Sequence, residues 1–270
     1  MPTKAPHVGC VQAVDGINGK LAGLGGSFAN KGIYGALGSL ALPLGCEFGV
    51  QIDGSAGSFD KRFLGSVAGH FFWRDPAKAL VGLYGSSTYW NQLGGVRANH
   101  VGPEAEWYMG RWTLQGVAGV EWGNTTSGIV GDLIQTYDIK TRFFDQVNLN
   151  YYLQDNFKVF VGHRYLVGKH ALALGGEYGI PMSRGVMTAL FAEARLGEGD
   201  FHGVWGGVRF YFGQKDKTLI RRHREDDPTD WGGGFGNGIH NGGSTTPNCP
   251  TAPPPPDPVF SSFIASSCPL

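Results

Sequence analysis

The chain has 270 residues, enough for one large domain with a tail, and its 22 basic and 22 acidic residues balance. This zero net charge does not indicate a nucleic-acid partner. No apolar run approaches the ~18 residues of a membrane-spanning helix, so any membrane span has to be built from strands. The 45 glycines make up about 17% of the 270 residues, whereas glycine usually contributes ~7% of a chain. They lie inside strand-like segments, where glycine permits bending and close backbone approach.

Apolar residues on alternate positions recur from Val14 to Phe212 in segments of roughly ten residues. Residues 204–212 show the pattern best: Val204, Val208 and Phe210 share one face, while Arg209 and Tyr211 share the other. Such segments, repeated about twelve times, predict a closed antiparallel transmembrane β-barrel of about 12 strands. The predicted strands are 13–25, 32–43, 46–57, 62–73, 78–88, 96–109, 111–122, 141–153, 157–166, 169–180, 186–197 and 202–213.

The connections between these strands alternate between tight turns and a set that includes longer loops. In outer-membrane barrels the short turns are periplasmic, so both ends of the barrel are expected on the periplasmic side. Aromatic residues cluster beside the tight turns, where amphipathic rings favour the headgroup layer. The predicted aromatic girdle is Phe71, Trp73, Trp107, Trp112, Tyr151, Phe157, Phe210 and Phe212.

The alternating strands, the terminal Val208-Arg209-Phe210-Tyr211-Phe212 and the start Pro2-Thr3-Lys4-Ala5-Pro6 resemble outer-membrane β-barrel proteins of alphaproteobacteria. A strand ending in Phe is also similar to the signal recognised during barrel assembly, although here residues 214–270 follow it. The resemblance is one of pattern and covers about residues 1–213. It implies residence in the outer membrane, with lipid as the surrounding partner.

Strand parity assigns one polar face to the barrel interior, because a charge facing lipid costs ~2–4 kcal/mol at the midplane. Two interpretations of this polar lumen stay open. Its charges form a plug of mutually paired groups, or they line a narrow hydrophilic pore. The predicted lumen-lining residues are Lys20, Asp53, His70, Glu104, Glu106, Glu121, Lys158, Arg164, Glu177, Glu193, Arg195 and Arg209.

The segments outside the barrel differ from it in composition. Residues 1–12 are predicted to form a periplasmic arm. Residues 214–270 are predicted to be a disordered, Gly/Pro-rich periplasmic tail, because they cannot bury enough apolar surface of their own. The tail's basic cluster, Arg221, Arg222 and Arg224, is expected either to meet the cell wall or lipid headgroups or to stay solvated. No secretory leader is visible, so export implies that one was removed or that the gene start is misplaced.

The four cysteines show no zinc-type spacing. A disulfide between Cys10 and Cys46 is predicted at the periplasmic rim, since Cys46 follows the turn after the second strand. Cys249 and Cys268 could close a loop around the prolines of the tail. Four unrelated thiols are the alternative.

Catalytic candidates are few. Ser66 with His70, and Ser86 or Ser87 with His100, are the Ser/His pairs that a lipid hydrolase would need. Ser66 and His70, however, lie roughly 13 Å apart along one strand. His163 and His170, with Glu177 and Glu193 on neighbouring strands, could bind a metal, but a solvated rim is the preferred interpretation. No cofactor is predicted.

The sequence therefore predicts a non-enzymatic outer-membrane barrel, porin-like or structural, with a charged polar lumen. A lipid-modifying enzyme on a 12-stranded barrel is the first alternative, and a soluble β-barrel is the second.

Overall fold

The computed structural model describes residues 10–231, 233–236 and 238–248, and it contains the predicted closed antiparallel barrel of twelve strands. The first and last barrel strands pair from Gly19 with Phe212 to Phe28 with Gly203, so the ring has no open edge. The barrel strands are β1 (Asn18–Phe28), β2 (Lys31–Leu44), β3 (Phe48–Phe59), β4 (Arg62–Asp75), β5 (Ala79–Trp90), β6 (Val96–Met109), β7 (Trp112–Gly123), β10 (Arg142–Gln154), β11 (Phe157–Leu166), β12 (Lys169–Pro181), β13 (Val186–Gly197) and β14 (Gly203–Phe212).

The two ends of the barrel differ in their connections. At one end, called the turn end here, the strands are joined by residues 45–47, 76–78, 110–111, 155–156 and 182–185. The opposite end, called the hairpin end, carries β8 (Thr125–Val130) and β9 (Leu133–Asp138) between β7 and β10. The sequence predicts a long loop here rather than strands, and both strands are short, with six residues each.

Burial alternates along most of the barrel strands, as the period of two predicts. In β6 the side chains of His100, Glu104 and Glu106 are buried, whereas Val101 and Trp107 are exposed on the outside. Inner faces carry the buried polar and charged residues together with aromatic and aliphatic ones, and outer faces carry exposed apolar residues on every barrel strand. This distribution fits a wall with lipid outside and protein inside.

The N-terminal segment packs under the turn end. The first strand begins at Asn18 rather than at residue 13, and Ala13 and Val14 are fully buried. Cys10 is joined to Cys46 by a disulfide. The segment is thereby fixed to the connection between β2 and β3.

The chain beyond β14 re-enters its own barrel. It forms the helix α1 (Leu219–Glu225) at the turn end, then 3-10 turns at Gly233–Gly236 and Ile239–Gly242, and finally β15 (Gly243–Pro247). The strand β15 pairs with β9, from Gly243 with Tyr137 to Pro247 with Leu133. Residues 214–242, called the lumenal insert here, therefore run through the barrel from the turn end to the hairpin end. Within the described part of the chain, no helix has the length and hydrophobicity to cross a membrane.

The prediction that the chain is disordered from residue 214 onward is thus wrong for the described residues 214–231, 233–236 and 238–248, whereas the periplasmic location stays a prediction. The composition argument concerned a core that the segment would build by itself. The insert instead buries Trp231, Phe235 and Ile239 against the inner wall of the barrel. Residues 249–270, and with them the suggested pairing of Cys249 with Cys268, lie outside the described residues.

Two glycines shape the wall where the insert passes. Gly35 and Gly57 are paired across β2 and β3, and both approach the ring of Phe235. An added Cβ would lie 2.2 Å from the Phe235 ring at Gly35 and 2.8 Å from it at Gly57. The missing side chains therefore form a slot that admits this ring, a use of glycine that the sequence suggests only in general terms.

We expect Gly35→Leu to displace Phe235 and to loosen the insert, because overpacking a filled site typically costs ~1–3 kcal/mol. Faster hydrogen exchange of residues 228–242, followed by mass spectrometry, would report the loosening. Gly54→Leu on β3 is the matched control, since a Cβ there meets no atom within 4 Å. Equal exchange in both variants would contradict the slot.

Candidate functional site

The filled lumen is the candidate functional site. All twelve residues predicted to line it lie on the inner face; Lys158, Glu193 and Arg209 are half-buried, and the other nine are buried. Most of these groups contact the insert or one another rather than water, which is the pairing that the plug interpretation describes. What the sequence did not indicate is that the insert supplies partners for them.

Carboxylates of the insert meet the cations of the wall near the middle of the barrel. Lys20 Nζ lies 2.6 Å from Asp227 and 3.6 Å from Asp230, and it also donates a hydrogen bond to the Pro228 carbonyl at 3.0 Å. Arg209 lies 3.4 Å from Asp230. Buried charges persist when they are paired, so the insert and this wall neutralise each other.

Glu177 joins this group to helix α1. Its carboxylate accepts a hydrogen bond from Tyr211 at 2.6 Å and lies 3.1 Å from Arg209 and 3.6 Å from Lys158. His223 of α1 lies 3.6 Å from the same carboxylate. One wall carboxylate thus contacts two wall cations and a side chain of the insert.

On the opposite wall His70 bridges two carboxylates. Its Nε2 lies 2.8 Å from Asp53, and its Nδ1 lies 2.9 Å from Glu104. A carboxylate only accepts hydrogen bonds, so both ring nitrogens donate and the imidazole is the cation. Glu104 also accepts a hydrogen bond from Trp231 of the insert at 3.5 Å.

Helix α1 is fixed at the turn end by its basic residues. From the sequence, these residues were expected either to meet the cell wall or lipid headgroups or to stay solvated. Arg222 donates to the Gly185 carbonyl at 2.8 Å, and Arg224 donates to the Gly110 carbonyl at 2.8 Å. Arg221 is exposed and pairs with Glu225 at 2.7 Å. Two of the three guanidiniums therefore hold the helix against the turns.

The N-terminal segment supports the same helix. Lys217 forms ion pairs with Asp226 and, at 2.9 Å, with Asp15. Partial burial raises the pKa of Asp15, but the neighbouring ammonium groups of Lys217 and Lys215 lower it overall. Because the Cys10–Cys46 disulfide fixes the segment that carries Asp15, this end of the insert is held from both sides.

The aromatic clusters beside the turns divide between the two faces of the wall. Of the eight predicted girdle residues, Phe71, Trp107, Trp112, Phe210 and Phe212 are exposed on the outside, and Trp73, Tyr151 and Phe157 are half-buried. Their sequence neighbours point inward instead. The rings of Tyr108, Tyr152 and Tyr211 contact helix α1, and Phe72 packs against the N-terminal segment.

At the hairpin end the lumen is closed by rings. His240 of the insert lies 4.5 Å from Phe28, 5.4 Å from Phe59 and 6.3 Å from Phe201, centroid to centroid. Ile239 is buried in the same cluster. This packing at the hairpin end is apolar, in contrast to the charged lumen between it and helix α1.

A cavity of about 100 Å³ remains beside the insert, mainly along β10 to β14. Water occupies ≈30 Å³ per molecule in the liquid, so this space is large enough for a few waters. Its walls are mixed: polar and cationic residues alternate with apolar ones such as Phe160, Phe191 and Trp205. The polar and cationic residues are Asn148, Asn150, Lys158, Arg164, Arg195 and Arg209.

The candidate catalytic pairs are only partly brought together. Ser86 Oγ lies 3.4 Å from His100, whose other ring nitrogen lies 3.3 Å from Glu121. Ser66 hydrogen-bonds Ser55 at 2.8 Å instead of His70, and Ser87 is exposed on the outside. Ser86, His100 and Glu121 contact one another in series, but both distances are longer than those of good hydrogen bonds.

The suggested metal constellation is divided by the barrel wall. Glu177 and Glu193 pair with lumenal cations, whereas His163 and His170 are exposed on the outer face, with Asp145 beside them. Among the described residues, no three or more His, Cys, Asp or Glu side chains are grouped so as to hold a metal ion.

The residues that sequence reasoning missed are those of the insert: Asp227, Asp230, Trp231, Phe235 and Ile239. A signal for them was present. Three large apolar residues recur every four positions between 231 and 239, within a segment otherwise judged too polar to fold.

Comparison with known proteins supports the fold. No family model matches the chain, and no curated protein matches it. Among solved structures, an outer-membrane channel from Pseudomonas putida has a TM-score of 0.50 at 10% identity, covering 78% of this chain and 99% of its own. A chain from a study of the in-meso crystallization of membrane proteins has a TM-score of 0.51 at 12% identity, covering 77% and 91%. The chain therefore has the fold of Gram-negative outer-membrane β-barrels.

We expect Lys20→Met to lower the free energy of unfolding by about 3–5 kcal/mol, because it leaves Asp227 buried without its cation. The midpoint of urea unfolding in detergent micelles measures this loss. Lys31→Met is the control, since its exposed pair with Asp60 is worth ~0–1 kcal/mol. Adding Asp227→Leu to Lys20→Met should restore much of the loss. Equal midpoints for the two single variants would contradict the central ion pair.

Proposed function

We propose that this protein is an outer-membrane β-barrel held closed by its own C-terminal segment. It would act as a structural barrel that carries this segment across the membrane rather than as an open pore. The observation that carries the proposal is the passage of the described residues of the insert, 214–231, 233–236 and 238–242, through the lumen, followed by the β15–β9 pairing. The alphaproteobacterial origin suggested by the N-terminal sequence belongs to the same proposal.

The orientation follows from the connections. Outer-membrane barrels keep short turns on the periplasmic side and longer connections outside, so the turn end would be periplasmic and the hairpin end would face the exterior. The N-terminal segment would then be periplasmic, whereas Asn248 would lie at the outer surface. This replaces the expectation that the chain beyond β14 stays in the periplasm.

A porin-like channel that opens when the insert moves is the second candidate. The observation that favours it is the cavity along β10 to β14, which borders the insert over Asp227–Trp231. The wall behind the insert carries charged residues among its apolar ones, so a displaced insert would leave a passage lined in part by charges. Both signs of charge are present, which argues against strong ion selectivity.

We infer no catalytic role for Ser86, His100 and Glu121. Glu121 also accepts a hydrogen bond from the Val167 backbone at 3.0 Å and lies 3.4 Å from Arg142, contacts that suit a structural carboxylate. A periplasmic or cell-wall partner for residues 1–12 stays a prediction. For the tail's basic cluster such a partner is less favoured, since Arg222 and Arg224 are bonded to barrel turns.

We expect the full-length protein in planar lipid bilayers to show no sustained conductance, because the insert fills the lumen. The double variant Trp231→Ala/Phe235→Ala removes the rings that anchor the insert while leaving all lumenal charges in place. Openings in this variant alone would favour the gated channel, and silence in both would favour the structural barrel. Leu21→Ala, on the outer face of β1, is the control. Steady porin-like conductance of the parent chain would contradict the closed lumen.

We expect Thr245→Cys in β15 to react with a membrane-impermeant maleimide in intact cells, and Ser183→Cys at the turn end to react only after the outer membrane is permeabilised. Both residues are exposed, so accessibility reports the side of the membrane. The parent for both carries Cys249→Ser and Cys268→Ser. The reverse pattern of labelling would show that the assigned orientation is inverted.

A further inference from the structure

Two histidines meet on the outer face of the barrel, near the hairpin end and away from the lumen. His163 Nε2 of β11 lies 3.0 Å from His170 Nδ1 of β12. Both side chains are exposed, and the ring of Tyr165 stacks on His170 at 4.4 Å between centroids. The closed lumen uses neither residue.

We propose that His163 and His170 form a two-nitrogen chelate for a divalent transition-metal ion, Cu²⁺ or Ni²⁺. Imidazole nitrogens bind such ions at about 2.1 Å. Two nitrogens at that distance and at a right angle around the ion are about 3.0 Å apart. The observed 3.0 Å separation, which the hydrogen bond between the rings sets, is already close to that of neighbouring ligands in square-planar or octahedral coordination, and the rings have only to turn so that both lone pairs meet at the ion.

Asp145 orients the His163 ring so that its Nε2 atom is the one available to a metal ion. Its carboxylate lies 2.7 Å from His163 Nδ1, and a carboxylate can only accept, so the proton of His163 resides on Nδ1. The opposite nitrogen, Nε2, then presents its lone pair. Metal-binding histidines are typically oriented by such a carboxylate on the other ring nitrogen.

The second ring completes the site with a proton shift. With His163 neutral and its proton on Nδ1, the hydrogen bond between the rings of the metal-free pair is donated by His170 Nδ1–H to the Nε2 lone pair of His163. When the ion binds, this proton moves to His170 Nε2, and His170 Nδ1 becomes a ligand. Both rings stay neutral, and the exposed edge leaves the remaining coordination positions to water. Glu198, which accepts a hydrogen bond from the His170 backbone at 3.0 Å, lines the same depression together with His202.

This chelate differs from the constellation considered from the sequence, since its carboxylate is Asp145 rather than Glu177 or Glu193. Strand pairing explains the difference. Asp145 is paired with Tyr165, two residues beyond His163 on the same outer face, whereas Glu177 and Glu193 point into the lumen. Two imidazoles without a protein carboxylate on the ion favour Cu²⁺ and Ni²⁺ over Mg²⁺ and Ca²⁺, which prefer oxygen ligands.

The test is Cu²⁺ titration of the full chain without a polyhistidine tag, in detergent, followed by electron paramagnetic resonance. We expect one copper ion per chain with coupling to two nitrogens. That signal should be lost in His163→Gln and in His170→Gln, and excess Mg²⁺ should not displace the ion. Asp145→Asn should weaken binding ~10–100-fold while both nitrogens remain ligands.

His202→Gln is the matched control and should leave the affinity within about threefold, since it lines the depression without joining the pair. Circular dichroism would establish that each variant keeps the barrel fold, which substitutions on an exposed outer face are expected to leave intact. An unchanged copper signal in the His163→Gln/His170→Gln double variant would overturn the proposal. A loss with His202→Gln as large as with His170→Gln would overturn it as well.

Discussion

Closure of the backbone ladder between β1 and β14 is the constraint on which the rest of the molecule depends. In lipid every amide and carbonyl needs a partner within the protein, so the sheet has to close on itself. The interior of a closed ring of twelve strands is too wide to be filled by the side chains of the wall alone. The wall places its charged residues there because they are excluded from the lipid side. The resulting lumen is polar, and it is filled by a segment that carries the complementary carboxylates.

The insert shows how a sequence with little hydrophobic content can become ordered. Residues 214–242 contain few large apolar side chains, but the barrel supplies the opposite surface for each of them. Phe235 enters the slot at Gly35 and Gly57, Trp231 reaches Glu104, and Ile239 joins the aromatic cluster of the hairpin end. The charged groups contribute mainly by pairing, since a buried ion without a partner destabilises far more than a pair stabilises.

The barrel could be predicted from the sequence, whereas its contents could not. Side chains of a β-strand alternate between its two faces with a period of two residues. The positions of Arg209, Glu177 and Lys20 on the inner face therefore follow from their sequence numbers within each strand. The bounds of β6 and β11 likewise match the predicted segments. Which carboxylate meets Lys20 depends on a contact between residues 20 and 227, and no local pattern encodes it. The same holds for Asp145 and His163, whose proximity arises from strand register.

The threaded segment also gives the molecule a mechanical direction. Helix α1 is thicker than the extended chain that follows it, and Arg222 and Arg224 bind it to turns 182–185 and 110–111. Tension applied beyond Asn248 would first separate β15 from β9 and then pull helix α1 toward the barrel. The hydrogen bonds of Arg222 and Arg224 to the turns would then carry the force at the same time. Tension applied from the turn end would instead act on the ion pairs of Asp227 and Asp230 with the wall, and behind them on the pairing of β15 with β9. The insert is therefore held by different contacts against displacement in the two directions.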